Sequence, residues 1–120
     1  MSYFTEKTDK RLFFCPCCGE KGRVSPWLIH LLNKIREGLG KPMYVNSGYR
    51  CKKHNEKVGG KENSAHRRGT AADIKCTNSH DRFIIIELAY EVGFKRLKPY
   101  PTFIHLDVDV ELPQEVMWGD

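Results

Sequence analysis

Three side chains in this chain are of the types and at the places that could share a metal ion: His66, Asp73 and His105. The stretch SAHRRGTAAD (Ser64 to Asp73) carries the first two, and TFIHLDVDV (Thr102 to Val110) carries the third. Small residues precede Asp73 and Ile74 follows it, so this carboxylate faces burial. A buried carboxylate needs a partner. Two imidazoles and one carboxylate make three ligands for zinc and leave one tetrahedral position for water, which marks a catalytic rather than a structural site. Zinc lowers the pKa of such a water toward ~7 and polarises a carbonyl. Spacing alone leaves a plainer alternative open, in which Asp73 caps a helix or pairs with a surface arginine and His105 is an ordinary strand residue.

The elements that must position these residues can be read from periodicity. Ser25-Pro26 opens a helix, with Ser as N-cap and Pro at the first helical position. Trp27, Leu28, Leu31, Leu32, Ile35 and Leu39 follow at helical spacing, and Gly38, Gly40 and Pro42 mark the end. His30, inside this helix, is read as a packing or surface residue. PMYVNSGYR (Pro42 to Arg50) predicts a short strand entering a turn at Ser47-Gly48, and CKKHNEKVGG a helical turn closed by Gly59-Gly60 and anchored by His54. AADIK is a core strand. Ser79 is expected to cap a second helix, with Phe83, Ile86, Leu88, Ala89 and Val92 as its apolar positions and Gly93 as its end. In the last segment His105, Asp107 and Asp109 alternate with Leu106, Val108 and Val110, which predicts a strand with all three on one face, Asp109 lying farther out with solvent exposure as its plain reading. Gly48, Gly60 and Gly69 read as turn geometry, and Tyr49 and Asn63 as loop braces. Residues 1–12 read as a loose polar lead-in, and the tail to Trp118 as a segment packing across an edge. The expectation is one domain over residues 1–120, of the α+β class, with an antiparallel sheet and helices packed on one side.

Bulk properties bound the partners. The 120 residues suffice for one core, and 40% hydrophobic content favours folding over disorder. The net charge of +5 is spread over Lys52-Lys53, Arg67-Arg68 and Lys95-Arg96. That pattern fits either a solvated surface or attraction to an anionic polymer, nucleic acid or bacterial wall. No basic-then-apolar leader is visible, and the longest apolar run, Phe83 to Ile86, is too short to span a bilayer. Synthesis in the cytoplasm without a signal peptide is the expectation. The five cysteines, at 15, 17, 18, 51 and 76, argue against a complete disulfide framework. CPCCG resembles a truncated zinc knuckle, and Cys51 could complete a four-thiolate structural site with Cys15, Cys17 and Cys18. Buried thiols or a redox pair are the alternatives.

The motifs SGYRCKKHN, VGG, NSAHRRGTAADI and TFIHLDV, in that order, resemble the D-alanyl-D-alanine carboxypeptidase-type zinc peptidases. Within them the chain looks most like the short carboxypeptidase or endopeptidase domains of phage endolysins and wall-remodelling enzymes, with the fold shared by the hedgehog signalling domain. The likeness runs from about Phe14 to Val110, and Ser64, His66, Gly69, Ala71 and Asp73 carry its core motif. It implies that His66, Asp73 and His105 bind zinc and that Arg50, ending SGYR, binds substrate through paired donors or stabilises an oxyanion. A structural bridge is the alternative for Arg50. Ser64 is a candidate substrate donor or a turn cap, and Tyr100 a candidate substrate contact. Relatives often carry a glutamate as general base three residues before the second zinc histidine; Thr102 stands there in this chain. Asp107 is then the candidate base, or else a residue that orients a ligand. KRLKPYP replaces the family's usual Gly-Ile-Gly-Arg-Tyr, which puts pocket shape and specificity in doubt.

The resemblance implies zinc-dependent hydrolysis of an amide bond in peptidoglycan stem peptides by a monomer that reaches the wall after phage or prophage lysis, or by another export route. Two rival readings are a zinc-holding module that binds wall peptides without cutting them, favoured by Thr102, and a zinc-ribbon nucleic-acid binder. The second lacks another Cys pair and any aromatics interleaved with a basic stripe, so no nucleic-acid partner is expected.

Overall fold

The computed structural model describes residues 3–61 and 64–117, so the expectations for Asn63 and Trp118 lie outside the described residues. In chain order the elements are α1 (Lys10–Phe13), α2 (Pro26–Leu39), β1 (Tyr44–Ser47), α3 (Lys52–Lys57), β2 (Ala71–Lys75), α4 (Ser79–Val92), β3 (Arg96–Pro99), β4 (Phe103–Asp107) and β5 (Val116–Met117). The sheet order is β1-β2-β4-β3-β5, antiparallel throughout except for the β3–β5 pair. This is the expected α+β class. None of the described helices is long and apolar enough to cross a membrane.

α2 forms where its apolar spacing and caps put it. The Ser25 side chain accepts a hydrogen bond from the Leu28 N–H, and Gly40 closes the other end in a left-handed conformation. Leu28, Leu31, Leu32 and Ile35 are fully buried, each side chain contributing about 1.5–3 kcal/mol of apolar burial. They pack with Ile85 and Ala89 of α4 on one face of the sheet, against Val45, Ala72, Ile74, Leu97, Ile104 and Leu106. α4 differs from expectation at its start, because Asn78 rather than Ser79 is the cap, accepting from the Asp81 N–H. Phe83, expected in the core, is exposed.

Within the lead-in, the described residues from Tyr3 onward are tied to the core. Phe4 and Phe13 are buried, Leu12 completely, all within the core cluster. The Gly48 and Tyr49 N–H groups donate to the Arg11 and Leu12 carbonyls, so the N-terminal segment braces the turn after β1. β3 was not legible from the sequence pattern, whereas β5 lies beside it at the sheet edge, in the tail that was expected to pack across an edge. β4 ends at Asp107, two residues short of Asp109, so the expected alternation to Val110 stops early.

Of the three glycines read as turn geometry, Gly69 alone has a positive φ, +71°. A Cβ there would lie 1.8 Å from the Arg23 carbonyl oxygen. Gly48 and Gly60 are needed instead for close approach to Leu12 and Asn55. Gly69 also accepts the N–H of Ser25, the α2 cap. Gly69→Ala combines left-handed strain with a backbone clash and should cost at least about 3 kcal/mol, read as a lower urea midpoint.

Candidate metal centre

The helix-covered face of the sheet leaves the other face to chemistry. Antiparallel partners directly opposite one another point the same way. Ser47 of β1 pairs with Asp73 of β2, Asp73 with His105 of β4, and His105 with Lys98 of β3. One row of polar side chains therefore crosses four strands. In the next row Asp107 pairs with Ala71 on one side and Arg96 on the other. The turn before β2 brings His66 over this row, and the segment after β1 brings Arg50.

Asp73 sits at the centre. Its Oδ1 lies 2.9 Å from His105 Nδ1 and 3.2 Å from His66 Nε2. Its Oδ2 lies 3.4 Å from Arg50 Nη2. Burial pushes the Asp73 carboxyl up, but hydrogen bonds from His105 and His66, with the charge of both rings, outweigh it and hold the group well below the usual carboxylate range. For His105 burial works downward, and its bonds to Asp107 and Asp73 outweigh it, so the imidazole is raised. The His105 ring lies between two carboxylates, and a hollow bordered by that much negative charge favours a cation.

The donor set fits a metal ion. His66 Nδ1 is 2.7 Å from the Gly48 carbonyl oxygen, which leaves Nε2 facing Asp73. His105 Nε2 is 2.7 Å from Asp107 Oδ2, which leaves Nδ1 facing the same oxygen. Each ring thus has its outer nitrogen engaged and its inner one presented, as metal-binding histidines do. One ligand atom from each of His66, Asp73 and His105 falls within 4.8 Å of the others. The three residues expected from the sequence to act together do converge.

The remaining candidates take different places. Asp107 is fully buried and lies across the His105 ring from Asp73. Its Oδ1 accepts from Arg96 Nε at 2.8 Å and from the Asp109 N–H at 3.1 Å. Arg50 donates from Nε to Ser47 Oγ at 3.1 Å, with Asn55 Oδ1 at 3.5 Å from Nη1. Ser64 Oγ accepts from the His66 N–H, which fixes the turn carrying that histidine. The Tyr100 ring stacks on Phe103 with centroids 4.3 Å apart. Arg50, Ser64, His66, Asp73, Tyr100 and His105 all border one cleft of about 780 Å³. His54 stays out of it, with a buried Nδ1 that has no hydrogen-bond partner.

Sequence reasoning missed Arg96 and Lys98, both buried at this face and both on the unforeseen β3. Asp109, expected in solvent, is 2% exposed. It accepts from Arg68 Nε, from Thr70 Oγ1 at 2.8 Å and from the Glu111 N–H at 2.9 Å. The chain leaves the sheet after Asp107, and the carboxylate turns inward to the segment that follows His66. Burial raises the Asp109 carboxyl, but its bonds to Arg68 and Thr70 outweigh that, and it ends below its ordinary value. A folded-state pKa below the unfolded one adds stability above about pH 4, lost as pH falls through the folded value. Asp109→Asn should lower stability near neutral pH by about 1–2 kcal/mol and flatten the acid limb of the stability curve. Urea melts across acidic and neutral pH measure both.

No curated protein matches the chain significantly. The family model described as Peptidase M15 matches residues 7–107, and that span holds α1 through β4 with His66, Asp73 and His105. Coverage of that extent, on a fold that brings two histidines and an aspartate to one point, means that the chain belongs to the peptidase M15 family, the zinc peptidases of the D-alanyl-D-alanine carboxypeptidase type.

Proposed function

We propose that this chain hydrolyses an amide bond in peptidoglycan stem peptides, as a zinc-dependent D-Ala-D-Ala carboxypeptidase or L-Ala-D-Glu endopeptidase. The observation that carries the proposal is the convergence of His66 Nε2, His105 Nδ1 and Asp73 Oδ1 beside an open cleft. These three residues would hold the ion, which when bound supplies Lewis acidity toward water and the scissile carbonyl.

The chain's own groups do the rest. Arg50 borders the cleft next to Asp73, where its planar fork can grip a peptide carbonyl or a terminal carboxylate. The same fork can oppose negative charge growing on the carbonyl oxygen. Tyr100, stacked on Phe103, offers a flat wall for substrate. Ser64 acts through the turn that aims His66, and its hydroxyl borders the cleft for a substrate contact. Arg50, Lys61, Arg96 and Lys98 give the cleft a basic lining, which suits the carboxylates of a stem peptide.

Asp107 is best assigned as a positioning residue that holds His105 in the tautomer with Nδ1 free for the ion, itself held by Arg96. Asp107→Asn should weaken zinc binding about 10–100-fold and leave most turnover intact at saturating zinc. Loss of turnover at full occupancy would make Asp107 the proton acceptor instead. Zinc competition titrations beside rate measurements separate the two.

A second reading, a module that holds zinc and binds wall peptides uncut, is favoured by one observation. Among the described residues bordering the cleft, the carboxylates are Asp73 and Asp107, and both are engaged. Digestion of purified peptidoglycan from several wall chemistries, with and without chelator, followed by mass analysis, decides between them. Hydrolysis predicts chelator-sensitive fragments with one amide opened; their absence from every wall type leaves the binding module.

A further inference from the structure

Away from this cleft, a second set of soft donors meets at one point. The Phe14↔Lys21 bridge, the Cys15 N–H donating to the Glu20 carbonyl and the Gly19 N–H donating to the Cys15 carbonyl fold CPCCG into a tight knuckle. Gly19 supplies the left-handed turn, φ +72°. Cys51, the N-cap of α3, arrives from the far side of the chain. Its sulfur lies 3.4 Å from Cys15 Sγ and 3.7 Å from Cys17 Sγ, and Cys15 and Cys17 are 3.8 Å apart. With Cys18, all four sulfurs fall within 4.8 Å of one another.

These distances have a simple meaning. A tetrahedron with metal–sulfur bonds of about 2.3 Å has sulfur–sulfur edges of about 3.8 Å. A disulfide needs about 2.05 Å, and no cysteine here is bonded to another. Core filling does not account for the cluster, because Cys17 and Cys18 are exposed while free thiols that pack are buried. The His54 N–H is directed at Cys51 Sγ, 3.4 Å away, as a donor to a thiolate would be.

We infer that Cys15, Cys17, Cys18 and Cys51 bind one zinc ion in a closed four-thiolate site that fixes the segment carrying Arg50. Binding forms four zinc–sulfur bonds and releases the thiol protons to solvent; nothing is oxidised. With no open position the site is structural. Its mechanical role follows from sequence neighbours. Cys51 succeeds Arg50 directly, and the backbone before it is bonded to Arg11 and Leu12, just ahead of Cys15. The ion closes that loop of contacts, so the knuckle and the substrate-side arginine move as one piece. The ion's presence is independent of the peptidase reading; only its effect on Arg50 rests on it.

The test uses the full chain, purified reduced and anaerobically. Zinc analysis should give two ions per chain in the parent and one in His66→Ala. Cobalt replacement should give a thiolate-to-metal charge-transfer band in the near ultraviolet that persists in His66→Ala and in Cys76→Ser. Cys17→Ser should lose that band and one zinc, and the Tyr49 amide should exchange at least about tenfold faster. Absence of the band from the parent protein, or unchanged zinc content in Cys17→Ser, overturns the inference even if wall digestion succeeds. A persistent band with no chelator-sensitive digestion upholds it and removes the peptidase reading instead.

Discussion

His66→Ala is expected to abolish chelator-sensitive cleavage of wall peptides, with a fall of at least about 10³-fold in rate. His66 is 3% exposed, and its ring is fixed at both ends, by the Gly48 carbonyl and by Asp73 Oδ1. No neighbouring side chain can take over Nε2, because His105 already spends its inner nitrogen on the same oxygen. Alanine leaves a two-residue donor set, too weak to retain zinc at working concentrations. The fold should survive, since Asp73 keeps His105 and Arg50 as partners, and far-ultraviolet circular dichroism checks this. The informative pairing is rate against bound zinc. Both should fall together, and a folded variant that keeps its cleft zinc and its rate would remove His66 from the site.

Why the convergence of His66, Asp73 and His105 was legible and its surroundings were not has a physical basis. His66 and Asp73 lie in one short segment and His105 in another, so their types and order survive reading in one dimension. α2 was legible for a similar reason: Ser25, Pro26, the apolar stripe and Gly40 are all local signals, and the helix observed runs from Pro26 to Leu39. β3 was hidden because RLKP looks like exposed loop. Its Arg96 is buried against Asp107, eleven positions later in the chain and opposite it in the sheet, which neutralises it. Asp109 misled in the same way: its place at the far end of the alternating run suggested solvent, but Arg68 and Thr70 draw it in once the strand has ended. Residues 1–12 read as loose from composition, although Phe4 and Leu12 sit in the core. In each case a distant charge or apolar neighbour reversed a local signal.

Arg50→Lys should lower kcat/KM by about 10²-fold while leaving zinc content unchanged. Lysine keeps the positive charge and loses the fork. In the resting protein the fork is spread over three weak contacts, Ser47 at 3.1 Å, Asp73 at 3.4 Å and Asn55 at 3.5 Å. Long contacts of this kind leave donors able to turn toward a substrate oxygen in the cleft. Burial lowers the Arg50 pKa and the Asp73 charge opposes that, so the group remains a cation with little water to screen it. An unscreened cation beside a carbonyl is worth most when the oxygen becomes negative, so the larger share of the loss should fall on kcat. If the fork only anchors a terminal carboxylate, KM rises instead and kcat holds. If Arg50 is merely a bridge that secures Asp73, zinc affinity and the unfolding midpoint fall and the kinetic constants at saturating zinc stay near the parent's. Steady-state kinetics on a defined stem peptide, with zinc content and a urea melt on the same preparation, separate these outcomes. Parental kcat and KM in a zinc-loaded Arg50→Lys variant would take the arginine out of the reaction.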